Sequence, residues 1–282
     1  MTSITSTASA VPPDALVEDV PDLTVAQSAA SYLETVSAMA QAELHKVWRE
    51  PSVLIARCAQ PLLWLLVFGA AVSRVPGLGS EGVPYKAFLV PGVIAQSVLF
   101  VAIFSGLAII WERDLGITQR VLVAPVSRSA IILGKAVSAA TRAMFQVGIV
   151  LAVVALVRIP LLWSPLRLAA ALLAAALGAT LLSAISMVIA SAVRSREQFM
   201  GIGQLVTLPL LFASNALYSV SVMPGWLRAV AQANPLTYEV ELLRQLLVGV
   251  GPDRMLFDVV VLVAWTIVAV AIASRTFPRR VI

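Results

Sequence analysis

One cysteine and one histidine in 282 residues leave this chain almost without thiol, imidazole or metal chemistry. Cys58 alone cannot close an intrachain disulfide, and His45 alone cannot build a ligand cluster. Charge is scarce too, since only 12% of residues are Asp, Glu, Lys or Arg, half the share found in soluble domains. That excludes an ordinary soluble enzyme of one or two domains. There is no HExxH, no paired CxxC and no GxSxG. The nearest approach to a phosphate loop, SAIILGKA at 129–136, lacks its first glycine and ends in Ala136 where a hydroxyl would hold magnesium. If ATP drives this protein, the ATPase is another chain.

What is present is apolar. Hydrophobic residues make up 60% of the chain, and mean hydropathy is +0.93. Six long runs stand out, at about 53–73, 88–110, 136–157, 168–193, 201–222 and 255–274. Each is long enough to cross a hydrocarbon core of about 30 Å as a helix. Lipid offers no hydrogen bonds to a backbone, so helices are the economical reading. The fold class expected is therefore all-α, a polytopic membrane protein with six transmembrane helices. Pro61, Pro91 and Pro209 fall inside runs and predict kinks. The formal charge of +5 is spread between apolar blocks with no basic stripe, which argues against nucleic acid as a partner.

Residues 1–27 are small, polar and acidic, with neither the basic start nor the apolar run of a secretory signal, and are expected to form a disordered cytoplasmic tail. With that end inside, thirteen Lys and Arg residues fall on the cytoplasmic side and seven outside, which favours both termini in the cytoplasm. Residues 28–50 form a different helix. Tyr32, Leu33, Val36, Met39, Ala40 and Leu44 follow i, i+3, i+4 spacing, with Glu34, Gln41, His45 and Arg49 opposite. Such a helix lies along a membrane surface or packs on a partner. Arg57 and Arg142 are placed near the cytoplasmic ends of spans, within snorkelling reach. No Asp or Glu sits at a span centre, which counts against an ion-coupled carrier.

The loop between the second and third runs, residues 111–135, mixes charge with Leu115, Ile117, Val121 and Leu122 and can form a short amphipathic helix. Gly116 interrupts it, Pro125 ends it and Ser127 can cap the next helix. On the residues alone, it is either a lever for a soluble motor or a solvated loop held to headgroups by arginines. Residues 223–247 read as a helical hairpin. Trp226, Leu227, Val230 and Ala231 recur at helical spacing, and Asn234-Pro235 supplies a cap and a first-turn proline.

Glu112-Arg113-Asp114-Leu115-Gly116, Leu122 to Arg128 and Leu133-Gly134-Lys135 together resemble the signature of the ABC type-2 permease family, the membrane subunits of ATP-binding cassette exporters of the daunorubicin-resistance kind. Leu208 to Leu217, Met223 to Leu227 and Asn234 to Tyr238 extend the likeness over about residues 30–275. One departure is Gln119-Arg120, where many members carry an acidic residue. The resemblance implies a transmembrane domain at 28–282, with a connecting helix at 28–50, a coupling helix at 111–123 and an external re-entrant hairpin at 223–247. It implies that Glu112, Arg113, Asp114, Leu115, Gly116 and Arg120 meet the ATPase subunit. It further implies that the second and fifth spans of two permease copies face a cleft, lined here by Gln96, Phe100 and Phe104 with Thr207, Phe212, Asn215 and Tyr218. The partners implied are two P-loop ATPase subunits, a second permease copy or a related permease, and membrane lipids. ATP and magnesium belong to the ATPase, with no cofactor in this chain. Export of a hydrophobic or amphipathic drug, lipid or glycolipid is the expectation. Polysaccharide or lipid-linked glycan export, and a scaffold without transport activity, stand as alternatives.

Overall fold

A computed structural model describes residues 25–49, 51–72, 82–115, 128–251 and 253–276. Every regular element among them is helical. In chain order these are α1 (Val25–Arg49), α2 (Pro51–Leu63), a π-helical turn (Trp64–Phe68), α3 (Gly69–Val72), α4 (Tyr85–Asp114) and α5 (Arg128–Leu156). They are followed by α6 (Pro165–Ala192), α7 (Arg196–Phe212), a 3-10 turn (Val220–Val222), α8 (Gly225–Ala233), α9 (Pro235–Leu247) and α10 (Met255–Thr276). The π-helical turn follows Pro61, whose missing N–H breaks the i→i−4 ladder just upstream. Pro91 and Pro209 are carried inside α4 and α7.

Helix α6 is the hub, packing against α4, α5, α9 and α10. Small residues make this possible: Ala171, Ala174, Ala175, Gly178 and Ala179 are all buried, so neighbouring backbones approach closely. Helix α4 has no solvent face along its first half, with residues from Phe88 to Val98 buried throughout. Gly92 marks its tightest contact, where a Cβ would run into the backbone of Ala216. Backbone cannot swing away as a side-chain tip can. Gly92→Ala is therefore expected to destabilise by roughly 1–3 kcal/mol in detergent unfolding, the usual cost of overpacking. Gly148→Ala is the comparison, since a Cβ there meets nothing within 4 Å. Helix propensity alone should make that variant neutral or about 1 kcal/mol more stable. Equal behaviour of the two variants would contradict the contact.

Large apolar side chains cover the outside of α2, the π-helical turn, α7 and α10, among them Leu63, Val67, Leu205, Leu208, Ile267 and Ile272. Among the described residues, five helices are long and apolar enough to cross a membrane: Ile55–Val72, Tyr85–Asp114, Ser129–Leu156, Pro165–Ala192 and Met255–Thr276. Six were expected. The run at 201–222 is not one helix: α7 ends at Phe212 after 17 residues, and the chain then turns through residues 213–218. Apolar composition continues across the break, which is why the run read as a single span.

At the N-terminus, α1 begins at Val25 rather than 28. The rest of the expected tail, residues 1–24, lies outside the described residues, as do Gly116, Arg120 and most of the expected coupling helix. Helix α1 packs on α5, with Val36, Met39 and Ala40 half-buried and Ser138 Oγ donating to the Met39 carbonyl at 3.1 Å.

Candidate functional site

Three helix ends meet where α4 stops. Ser195 caps α7, its hydroxyl accepting from the Gln198 N–H at 3.2 Å, while the Gln198 side chain reaches back to the Arg194 N–H at 3.1 Å. This reciprocal pairing resembles a capping box and turns the chain sharply from α6 into α7. Arg113 then clamps the turn, donating to the carbonyls of Val193 at 3.1 Å and Arg194 at 2.9 Å. Asp114 accepts from Arg196, the first residue of α7, at 2.9 Å. On the other side Lys135 of α5 donates to the Glu112 carboxylate. Arg196 also lies over the Trp111 ring at 5.1 Å. The Glu-Arg-Asp triplet singled out in the sequence thus ties the end of α4 to α5 on one side and to the α6–α7 corner on the other. Its carboxylates remain partly exposed, and Leu115 beside them is exposed.

A cavity of about 270 Å³ lies above this corner between α2, α4 and α7. Of the seven cleft residues expected from the sequence, Phe100, Phe104 and Thr207 line it together. Gln60 of α2, Ile103 of α4, and Met200, Gly203, Gln204 and Leu208 of α7 complete the wall. Arg57 places its guanidinium over the Phe104 ring at 4.7 Å, close to this wall. The other four lie elsewhere. Gln96 is buried inside the bundle one turn further along α4. Phe212 ends α7 with its ring partly exposed, and Asn215 and Tyr218 follow it in the turn. The Tyr218 hydroxyl donates to the Phe212 carbonyl at 2.6 Å. Gln204 was within reach of sequence reasoning, since it shares a helical face with Met200 and Thr207. Gln60 was not, because nothing in the sequence sets α2 beside α7.

None of the apolar runs carries an acidic residue at its centre. The tertiary structure nonetheless brings one there. Glu239 of α9 is fully buried against α6, where a Cβ on Gly178 would strike its carboxylate. Around it runs a buried polar network. Asn215 donates to Glu241 at 3.1 Å, Arg244 donates to the Asn215 carbonyl at 2.7 Å, and Gln245 donates to Asp258 of α10 at 2.9 Å. The Arg244 guanidinium covers the Phe88 ring at 3.9 Å. Asn234 fixes the base of the hairpin: its carbonyl accepts from the Leu236 N–H at 2.9 Å, and its amide donates to the Leu210 carbonyl at 2.7 Å. At the far end of α9, the Leu247 carbonyl accepts from the Leu162 N–H at 2.8 Å. No group of three or more His, Cys, Asp or Glu side chains able to hold a metal occurs among the described residues.

A family model described as ABC-2 type transporter matches residues 34–248. Among similar proteins, the ycf38 transport permease of Porphyra purpurea is 32% identical over 215 residues, 75% of this chain and 73% of the relative. Nodulation protein J of Rhizobium leguminosarum bv. viciae is 26% identical over 83% of this chain and 90% of its own length. The daunorubicin resistance ABC transporter permease protein DrrB1 of Streptomyces coeruleorubidus is 25% identical over 74% and 75% respectively. The matched region runs from within α1 to the end of α9 and so contains the braced corner, the cavity and all of the buried network except Asp258. This chain belongs to the ABC-2 type transporter family and is a multi-pass membrane permease.

Proposed function

We propose that this permease is the membrane subunit of an ATP-driven exporter, working as a pair of permeases with two P-loop ATPase subunits. The observation that carries this reading is the braced end of α4. A lever transmits force only if its far end is fixed to what must move, and the ties of Glu112, Arg113 and Asp114 join it to both α5 and α7. The stretch that follows, with Leu115, Gly116 and Arg120, together with the exposed edges of the triplet, forms the contact with the ATPase. In this reading both termini are cytoplasmic. Helix α7 and the turn after it make the fifth of six membrane segments, and α8 with α9 re-enters from the outer side. ATP and magnesium act on the partner and bring the two ATPases together. The push on the lever then moves α4 together with the α6–α7 corner, and the cleft between the two permeases turns from inward-facing to outward-facing.

Cargo is a hydrophobic or amphipathic molecule. Phe100, Phe104, Met200 and Leu208 offer apolar surface, while Gln60, Gln204 and Thr207 supply a few polar contacts, the usual make-up of a small-molecule site. A drug, as in the relative named for daunorubicin resistance, and a lipid or glycolipid both fit this description. The test is affinity purification of the tagged chain from native membranes in mild detergent, with mass spectrometry of the co-eluting proteins. An ATPase near one-to-one stoichiometry, lost when residues 115–123 are replaced, is the expected result. Recovery of the permease without any ATPase under several gentle conditions would overturn the reading and favour a scaffold.

A further inference from the structure

The cavity between α2, α4 and α7 presents two kinds of surface. Phe100, Phe104 and Met200 are apolar, while Gln60, Gln204 and Thr207 are polar and uncharged. Gln204 and Thr207, three residues apart, share one side of α7, and Gln60 reaches the same space from α2. Gln60 follows the start of the spanning segment Ile55–Val72 by five residues, and Gln204 follows the start of α7 by eight. At the helical rise those positions lie roughly 8 and 12 Å in from the helix ends. Both glutamines are exposed in the single chain. An amide turned to lipid chains at that depth has nothing to pair with, so the two positions mark a polar lining.

The hydrogen-bonding capacity of that lining is specific. Thr207 already donates its proton to the Gly203 carbonyl at 2.6 Å, so it offers a ligand lone pairs only. Each glutamine offers both N–H donors and a carbonyl acceptor. A ketone or ester would satisfy the donors and leave the acceptors unpaired, and a hydrocarbon would satisfy neither. A hydroxyl donates and accepts, so a group carrying several hydroxyls pairs with all three side chains. Size agrees with this. About 270 Å³ falls below the roughly 300–1,000 Å³ of sites for whole drug-sized ligands, and suits one ring.

We propose that this cavity selects cargo by an uncharged, hydroxyl-bearing head, a single sugar ring, with Gln60 and Gln204 as the specificity-determining residues. The two amides bracket the ring from α2 and α7, Thr207 accepts from one of its hydroxyls, and its C–H groups rest on Phe100. With the cavity taken as the cargo site of the exporter, on which this rests, cargo narrows to amphipaths with a glycosyl head.

Native mass spectrometry of the full chain, in a detergent whose own head carries no sugar, tests this with glucosyl diacylglycerol, diacylglycerol and soluble methyl glucoside as probes. The glucosyl lipid should be retained in preference to diacylglycerol. Gln60→Leu and Gln204→Leu should each lower its retention about fivefold, the loss of one neutral hydrogen bond. Retention of diacylglycerol should stay level or rise in the same variants, a pattern that a misfolded chain cannot produce. Competition by methyl glucoside would show that the ring suffices, and preference without such competition would show that ring and tail act together. Either supports the site. Equal retention of the two lipids by the unaltered chain, or an unchanged preference in both glutamine variants, would overturn it. These readouts need no ATPase, so an ATPase that co-purifies with a chain lacking the preference would leave the exporter reading standing and remove this one.

Discussion

Arg244→Met is expected to lower stability by about 3–5 kcal/mol, the range seen when one partner of a buried charged set is removed. Arg244 is 5% exposed. It donates to the Asn215 carbonyl, and Asn215 in turn donates to Glu241, so one guanidinium holds the turn after α7 against α9. It also covers the Phe88 ring, a desolvated contact of a kind worth up to about 2 kcal/mol. Methionine fills much of the volume but leaves the carbonyl unpaired and removes one of the two cations near Glu241, the other being Arg254. Arg244→Lys should recover little, because an ammonium has neither the planar fork nor the stacking face. Arg254→Met is the control. Arg254 approaches Glu241 only at 3.9 Å with its own side chain 59% exposed, and an ion pair so open is worth less than about 1 kcal/mol. Denaturation in detergent micelles gives the comparison. A loss below 1 kcal/mol for Arg244→Met would mean that the network does not hold the hairpin.

The second large effect concerns transport. Glu112→Lys and Asp114→Lys should each reduce ATP-dependent transport by an order of magnitude while leaving the protein folded. Both pairs are partly exposed, so their contribution to stability is below about 1 kcal/mol. Their value is geometric: they set where the lever stands against α5 and α7. Reversing the partner tests that directly. Lys135→Glu in the Glu112→Lys chain, and Arg196→Asp in the Asp114→Lys chain, should restore most transport. If neither swap rescues, the carboxylates act straight on the ATPase and the bracing argument fails. ATP hydrolysis by the assembled complex, measured alongside, separates lost coupling from lost assembly.

The structure shares out the glutamates and arginines in a way that composition could not. Glu239, Glu241 and Arg244 sit in a helix whose apolar residues, Leu236, Val240, Leu243 and Leu247, form an ordinary stripe. Taken alone, that pattern describes a half-buried surface helix with a charged outer side. In the fold α9 is inserted among α4, α6 and α10, so its charged side is enclosed as well. Arg142 is a related case. Its distance from the start of the apolar run placed it near a helix end, but α5 begins at Arg128, well before that run, which leaves Arg142 midway along the helix.

Sequence by itself determined the broad class, since scarce charge and long apolar runs leave helices in a membrane as the only way to satisfy the backbone. It determined the hairpin's joint as well, because Asn234 and Pro235 encode a cap and a first turn locally. The Glu-Arg-Asp signature was likewise legible, along with three of the residues that line the cavity. Tertiary structure alone decided the partners of that signature, which lie more than twenty residues away in the chain on α5 and eighty or more away at the α6–α7 corner. It alone ended α7 at Phe212, where the chain must turn for Asn215 to reach Glu241. The physical reason is the same in each case. Caps and hydrophobic periodicity are local properties, whereas the pairing of charges and the enclosure of a helix depend on which distant segments pack against it.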